Sequence, residues 1–430
     1  MKRKWAERIK TALIVLLAAS AVLLGWRTKL FNELLKSMPF FGSVAGLVKS
    51  ATGDETGSFS AKEAARPLVI VITGEDGSRY GVKYDTETRN AVYDKTSGII
   101  GEALGSASGI SVIGEEEWRK ALRGPGVFFG YASPVKLSVL DYWLGMKMPR
   151  EEDDSAIRNV FVAFGEDKNK LYYMDVETGL FYGADTASSS DMGNDPEYGP
   201  NAASFAFESV FAEVGKTPYF MITPQSIRKT VSASISGTQE EILLATLEAF
   251  GRGNEAYTTS VIGSTGVLSC IGAQFSVAIW PDGAAVYRIT EKQDGAPPAG
   301  ESGMIERARR IVADSIGGTS GDAEVFFETM ESNADDSCTV SFGYYIAGGR
   351  IYLPEDGPAA RITFADGAVS EAELVFRTYS TAEEYMGMLP EIQALAAAGC
   401  EIALCYSDNG QETMLPFWLP MESRMQGETR

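Results

Sequence analysis

The chain has 430 residues, 38 Lys+Arg against 58 Asp+Glu, and no histidine. Without imidazole there is no Ser-His-Asp or Cys-His nucleophile pair, no His-ligated zinc and no histidine pH switch. A formal charge of −20 argues against nucleic acid as a partner, because phosphates require a basic footprint. With 45% hydrophobic and 22% charged residues the chain is globular, and its length suits two or three domains.

Charge is concentrated unevenly along the chain. Residues 1–36 carry eight basic side chains and only Glu7 and Glu33 as acids, so the remainder holds 30 basic and 56 acidic side chains, a balance of −26. From Thr11 to Trp26 there is no charge, and this run predicts a transmembrane signal anchor over residues 11–26 behind a cytoplasmic tail, residues 1–10. Lys10, Arg27 and Lys29 can snorkel to the interface, and Trp26 suits the interfacial aromatic belt. The positive N-terminal flank keeps that end cytoplasmic and sends the acidic bulk outside. A cleaved signal peptide ending at Ala19-Ser20-Ala21 is the rival, but the apolar run continues through Val22, Leu23 and Leu24. Ala21 and Gly25 form a small-xxx-small pair, which would let another membrane helix approach closely; small residues facing lipid read equally well.

Leu30, Phe31, Leu34, Leu35 and Met38 continue with helical spacing, and a polar stretch over residues 50–60 reads as a linker, so residues 27–65 form a juxtamembrane helix and linker. A first outer domain is expected over residues 66–223. It contains a repeat: Gly74-Glu75-Asp76 and Asp85-Thr86-Glu87-Thr88 match Gly165-Glu166-Asp167 and Asp175-Val176-Glu177-Thr178. Each copy reads as three strands joined by two turns, the third strand of the first copy covering residues 90–93. Helices are expected over residues 96–104, 115–122, 137–144 with Ser133 as its cap, and 202–214. A second unit, residues 224–300, and a third, residues 301–430, share another repeat. Hairpins turning at Pro281-Asp282-Gly283 and Ala365-Asp366-Gly367 are each followed by a helix, over residues 302–316 and 381–398. Strands over residues 401–406 and up to Pro420 close the chain. The resulting fold class is α+β: an N-terminal transmembrane helix followed by duplicated antiparallel sheet-and-helix units, each sheet covered on one face.

No residue set amounts to a catalytic site. Ser133-Pro134-Val135-Lys136, Ser407-Asp408-Asn409 and Lys95-Thr96-Ser97-Gly98 resemble the three marks of penicillin-binding serine enzymes, but the third is interrupted and comes first in the chain. The acid pairs Asp153-Asp154 and Asp335-Asp336 raise the glycosidase question, yet both sit in polar, loop-like stretches. No calcium-loop, Walker or dinucleotide-binding spacing occurs, so no cofactor is expected. Cys270, Cys338, Cys400 and Cys405 read best as four small buried residues, although pairing in an oxidising exterior is compatible with the sequence.

Several stretches carry a family resemblance: Arg66-Pro-Leu-Val-Ile-Val, Gly126-Val-Phe-Phe-Gly-Tyr leading to Ser133-Pro-Val, Ala360-Arg-Ile-Thr-Phe-Ala-Asp-Gly, Leu389-Pro-Glu-Ile-Gln-Ala-Leu and the Pro416-Phe-Trp-Leu ending. With the anchor and the duplicated outer units, the chain resembles the YycH/YycI regulators of a WalK-type sensor histidine kinase. The resemblance implies a non-enzymatic, extracytoplasmic regulator of cell-wall homeostasis signalling that contacts the kinase and a sister regulator. A surface-anchored binding or assembly module for wall polymers or lipoproteins, without a kinase link, is the alternative.

Overall fold

A computed structural model describes residues 59–146, 154–189, 199–209, 218–222, 227–290, 300–334 and 336–421. The anchor and its flanks, including Lys10, Ala21, Gly25, Trp26, Arg27 and Lys29, lie outside the described residues. Among the described residues, no helix is long and apolar enough to cross a membrane.

The first sheet has seven strands: β1 (Val69–Thr73), β2 (Arg79–Val82), β3 (Ser108–Ile113), β4 (Gly126–Lys136), β5 (Ala156–Ala163), β6 (Lys170–Asp175) and β7 (Phe181–Asp185), in the antiparallel order β2-β1-β4-β5-β6-β7-β3. A short helix α1 (Ala61–Ala64), opened by a Ser60/Glu63 capping box, precedes it. Phe59, Ala64 and Ala65 are buried, and Arg309 donates to the Phe59 carbonyl, so the chain is fixed in the core before β1 begins.

The first repeat holds in its second copy and diverges in its first. Asp175 accepts from the Glu177 amide at 3.1 Å and from the Thr178 hydroxyl at 2.7 Å, and the chain turns through Gly179 at φ 69° into β7. Asp85 instead caps a helix, accepting from the Thr88 amide at 3.0 Å. The expected strand over residues 90–93 belongs to that helix, α2 (Thr86–Gly105). Arg89 stands where the other copy has Gly179, and without a left-handed residue the chain continues in the right-handed helix.

Helices α3 (Glu115–Ala121) and α4 (Leu137–Trp143) lie where expected. Ser133 does not cap α4: it lies inside β4, and the Ser138 amide is satisfied by Asp154 at 3.0 Å. Where a helix over residues 202–214 is expected, the described part forms β8 (Ala203–Phe205) and a single 3₁₀ turn through Glu208, with β8 pairing β9 (Phe220–Ile222); residues 210–214 lie outside the described residues. Tertiary packing decides this. Phe205 and Phe220 join Trp118, Phe128 and Phe161 in a second core. The first sheet is therefore covered on both faces, by α2 on one and by α3 with the β8–β9 pair on the other, which corrects the one-sided expectation.

The second sheet has eleven strands. β11 (Tyr257–Ile262), β12 (Val267–Gly272), β13 (Phe275–Ile279) and β14 (Ala284–Ile289) form one half, following β10 (Ile227–Ile235) and α5 (Gln239–Ala249). Helix α6 (Gly300–Val312) with a π turn through Gly317 leads to β15 (Glu324–Ser332), β16 (Cys338–Ile346), β17 (Gly349–Tyr352), β18 (Ala360–Ala365) and β19 (Ala368–Val375). The two repeated hairpins join edge to edge, β14 pairing antiparallel with β19 from Ala284↔Val375 to Arg288↔Glu371. β19 ends at Val375, before Phe376. The helix expected over residues 381–398 is in fact β20 (Arg377–Gly387), paired along β10, followed by a shorter α7 (Glu391–Ala398). Pro390 disfavours helical geometry at Leu389, and the exposed backbone of β10 supplies a strand partner instead. β21 (Ile402–Ser407) pairs in parallel with β17; β22 (Thr413–Met414) joins β10 and β23 (Phe417–Pro420) pairs β21. All four cysteines are buried free thiols, as their small-residue reading expects.

Candidate contact site

The residues weighed for catalysis are dispersed. Ser133 and Lys136 are in β4, Thr96 is buried in α2, and Asp408 is buried beyond β21. Asp154 is taken up in helix capping, Asp336 lies in a turn, and Asp153 and Asp335 lie outside the described residues. Among the described residues, no group of three Cys, Asp or Glu side chains is arranged to hold a metal ion.

Exposed apolar side chains instead collect around the β10–β20–β22 sheet. β20 leaves the large sheet at Phe376, and its distal half, with Tyr385 59% and Met386 37% exposed, extends along the start of β10. Leu389 is 54% exposed, and its carbonyl accepts from the Trp418 indole N–H at 2.9 Å, which brings the start of β23, with the exposed Phe417, alongside; Leu415, between β22 and β23, is exposed too. Large apolar side chains held in solvent offer contact area to a partner. Sequence reading places Leu389 inside a helix; Pro390, immediately after it, is the signal that ends β20 and starts α7.

Buried polar groups fix α7 and the strands around it. The Glu391 carboxylate, at the first turn of α7, accepts from Lys83 Nζ and from the Tyr219 hydroxyl, each at 2.7 Å. Burial and the Glu391 charge push the Tyr219 phenol well above its ordinary pKa, so it remains a neutral donor. Lys83 follows β2, so this pair ties the seven-stranded sheet to the C-terminal helix. The Arg228 guanidinium stacks 4.2 Å from the Tyr84 ring and also faces Trp418. Asp408 receives a two-pronged pair from Arg377, at 2.8 and 2.7 Å, and the Tyr379 hydroxyl at 2.9 Å. Burial alone would raise the Asp408 carboxyl, but these donors and the Gly410 amide prevail and hold it below the ordinary carboxylate value. The described residues here thus combine exposed apolar side chains with buried, paired charges.

No family model and no curated protein matches this sequence. A crystal structure of YycH from Bacillus subtilis does match the fold, with a TM-score of 0.51 at 11% identity, covering 84% of this chain and 94% of that one. The chain has a YycH-like fold. The match extends over almost the whole of the YycH chain, so the likeness is one of overall fold.

Proposed function

We propose that this protein is a membrane-anchored, extracytoplasmic regulator of a WalK-type two-component sensor kinase, acting by protein contact without turnover of a substrate. The YycH-like fold carries the reading. The exposed apolar side chains of Tyr385, Met386, Leu389, Leu415 and Phe417 offer contact area for it, and the uncharged run at residues 11–26 supplies a membrane anchor. Ala21 and Gly25 are the proposed contact positions within the membrane, with Lys10, Trp26, Arg27 and Lys29 as its flanks. A sister regulator is a second proposed partner.

Contact alone regulates nothing. The protein shifts the kinase only if it binds one signalling state more tightly, by about 1.4 kcal/mol for each tenfold change in population ratio. Co-purification from membranes tests the reading. The full chain is expected to recover a sensor kinase, and Leu389→Glu to reduce recovery at least about tenfold while leaving thermal unfolding in place. Removing residues 1–36 is expected to weaken recovery further. Absence of any kinase in all three preparations, or retention on purified peptidoglycan in its place, sinks the proposal.

A further inference from the structure

The described sheet edges are mostly blunted. β3 carries a register break between Ser108 and Ser111 with Gly109 at φ 63°. Along β2, the Asn201 side chain occupies the Gly81 amide and carbonyl at 3.0 and 2.8 Å. β23 contains Pro420, β20 carries Glu383 and Glu384, and β15 carries Glu328 and Glu331. These are the usual protections against unwanted strand pairing. β11 has none of them. It ends the eleven-stranded sheet, pairs with β12 in unbroken register, and all six of its residues are exposed. From Ala256 to Pro281 no residue carries a charge, in a chain of net charge −20.

We infer that β11 is a seam along which two copies of this chain join edge to edge. The side-chain pattern is self-complementary about Thr259. In antiparallel pairing with the dyad through Thr259, Tyr257 stands opposite Val261 of the second copy and the reverse, on one face of the sheet. On the other face, Thr258 stands opposite Ser260. Aromatic with β-branched and Thr with Ser are favoured cross-strand pairs, and a two-fold axis normal to the sheet requires only this one patch. Charge selects the same edge. Two copies of an acidic protein repel over most of their surfaces, whereas the uncharged stretch from 256 to 281 lets them meet without facing like charges. Val261, at 62% exposure, would then gain Tyr257 of the second copy as a neighbour across the seam.

The full chain in detergent micelles, at about 50 μM so that a small interface of roughly micromolar Kd is filled, is expected to be dimeric by light scattering. Val261→Lys places a charge at the seam on a side chain that is already solvent-facing, so it should leave the melting transition unchanged and lower the dimer fraction at least about tenfold. Thr259→Cys should cross-link to itself under mild oxidation, because the residue meets its own copy at the dyad. Ser111→Cys, on the blunted β3 edge, should not. A monomeric full chain overturns the inference, and that is also the result if β11 receives a strand from a different protein. A dimer that survives Val261→Lys, as one held by membrane helices would, or Ser111→Cys cross-linking as fast as Thr259→Cys, overturns it equally.

Discussion

Asp408 shows how far a residue's neighbours in sequence and in space can differ in meaning. In sequence it belongs to a Ser-Asp-Asn-Gly turn; in the fold it is 2% exposed and bound to Arg377 and Tyr379. Asp408→Asn leaves the Arg377 charge buried without its counter-ion, and we expect a loss of about 3–5 kcal/mol in denaturant unfolding at neutral pH. Because the folded carboxyl titrates below its unfolded value near 3.9, its contribution is complete above that value. It fades as pH falls through the lower, folded value. The gap between wild type and Asp408→Asn should therefore narrow in acid, and a gap constant from pH 7 to about pH 3 would contradict this assignment. Sequence could not single out Asp408, because Arg377 lies 31 residues earlier and on another strand.

At the scale of elements, the same Asp-x-Glu-Thr tetrapeptide opens a helix at Asp85 and a tight turn at Asp175. Asp85→Ala should cost about 1 kcal/mol through loss of the α2 cap, read as a shift in the denaturation midpoint. Gly179→Ala should cost roughly 1–2 kcal/mol because φ 69° is strained for a residue with a Cβ, although the space around it is open. The Asp-Gly hairpins were legible because turn chemistry acts over four residues. The residue 90–93 strand and the 381–398 helix were misread for opposite reasons. Residues 90–93 match a segment that turns at Gly179, but they follow Arg89 in its place and so stay helical. Residues 381–387 have a helical local pattern, but pairing along the distant β10 draws them into β20, and α7 starts only after Pro390.

For the whole molecule, the decisive junction is the pairing of the two repeated hairpins through β14 and β19. Gly283 sits at this seam at φ 92°, where an added Cβ would lie 2.7 Å from the Phe376 carbonyl oxygen. Gly283→Ala is expected to lose about 2 kcal/mol or more, from strain and collision together, with cooperative unfolding of both hairpins. Unfolding of one hairpin at an unchanged midpoint for the other would show that the seam does not couple them. A second junction, Lys83 with Glu391, joins residues 308 apart and makes the N-terminal sheet and C-terminal helix mutually dependent.

By itself, the sequence determined which chemistry is missing, how charge divides between a basic start and an acidic remainder, and where most turns and hairpins fall. Those properties follow from composition and from neighbours a few residues apart. Tertiary structure alone decided which strand edges meet, which acids are buried against which cations, and which apolar side chains stay in water. Each of these depends on surfaces that lose solvent together, and segments hundreds of residues apart can do so only once the chain has folded.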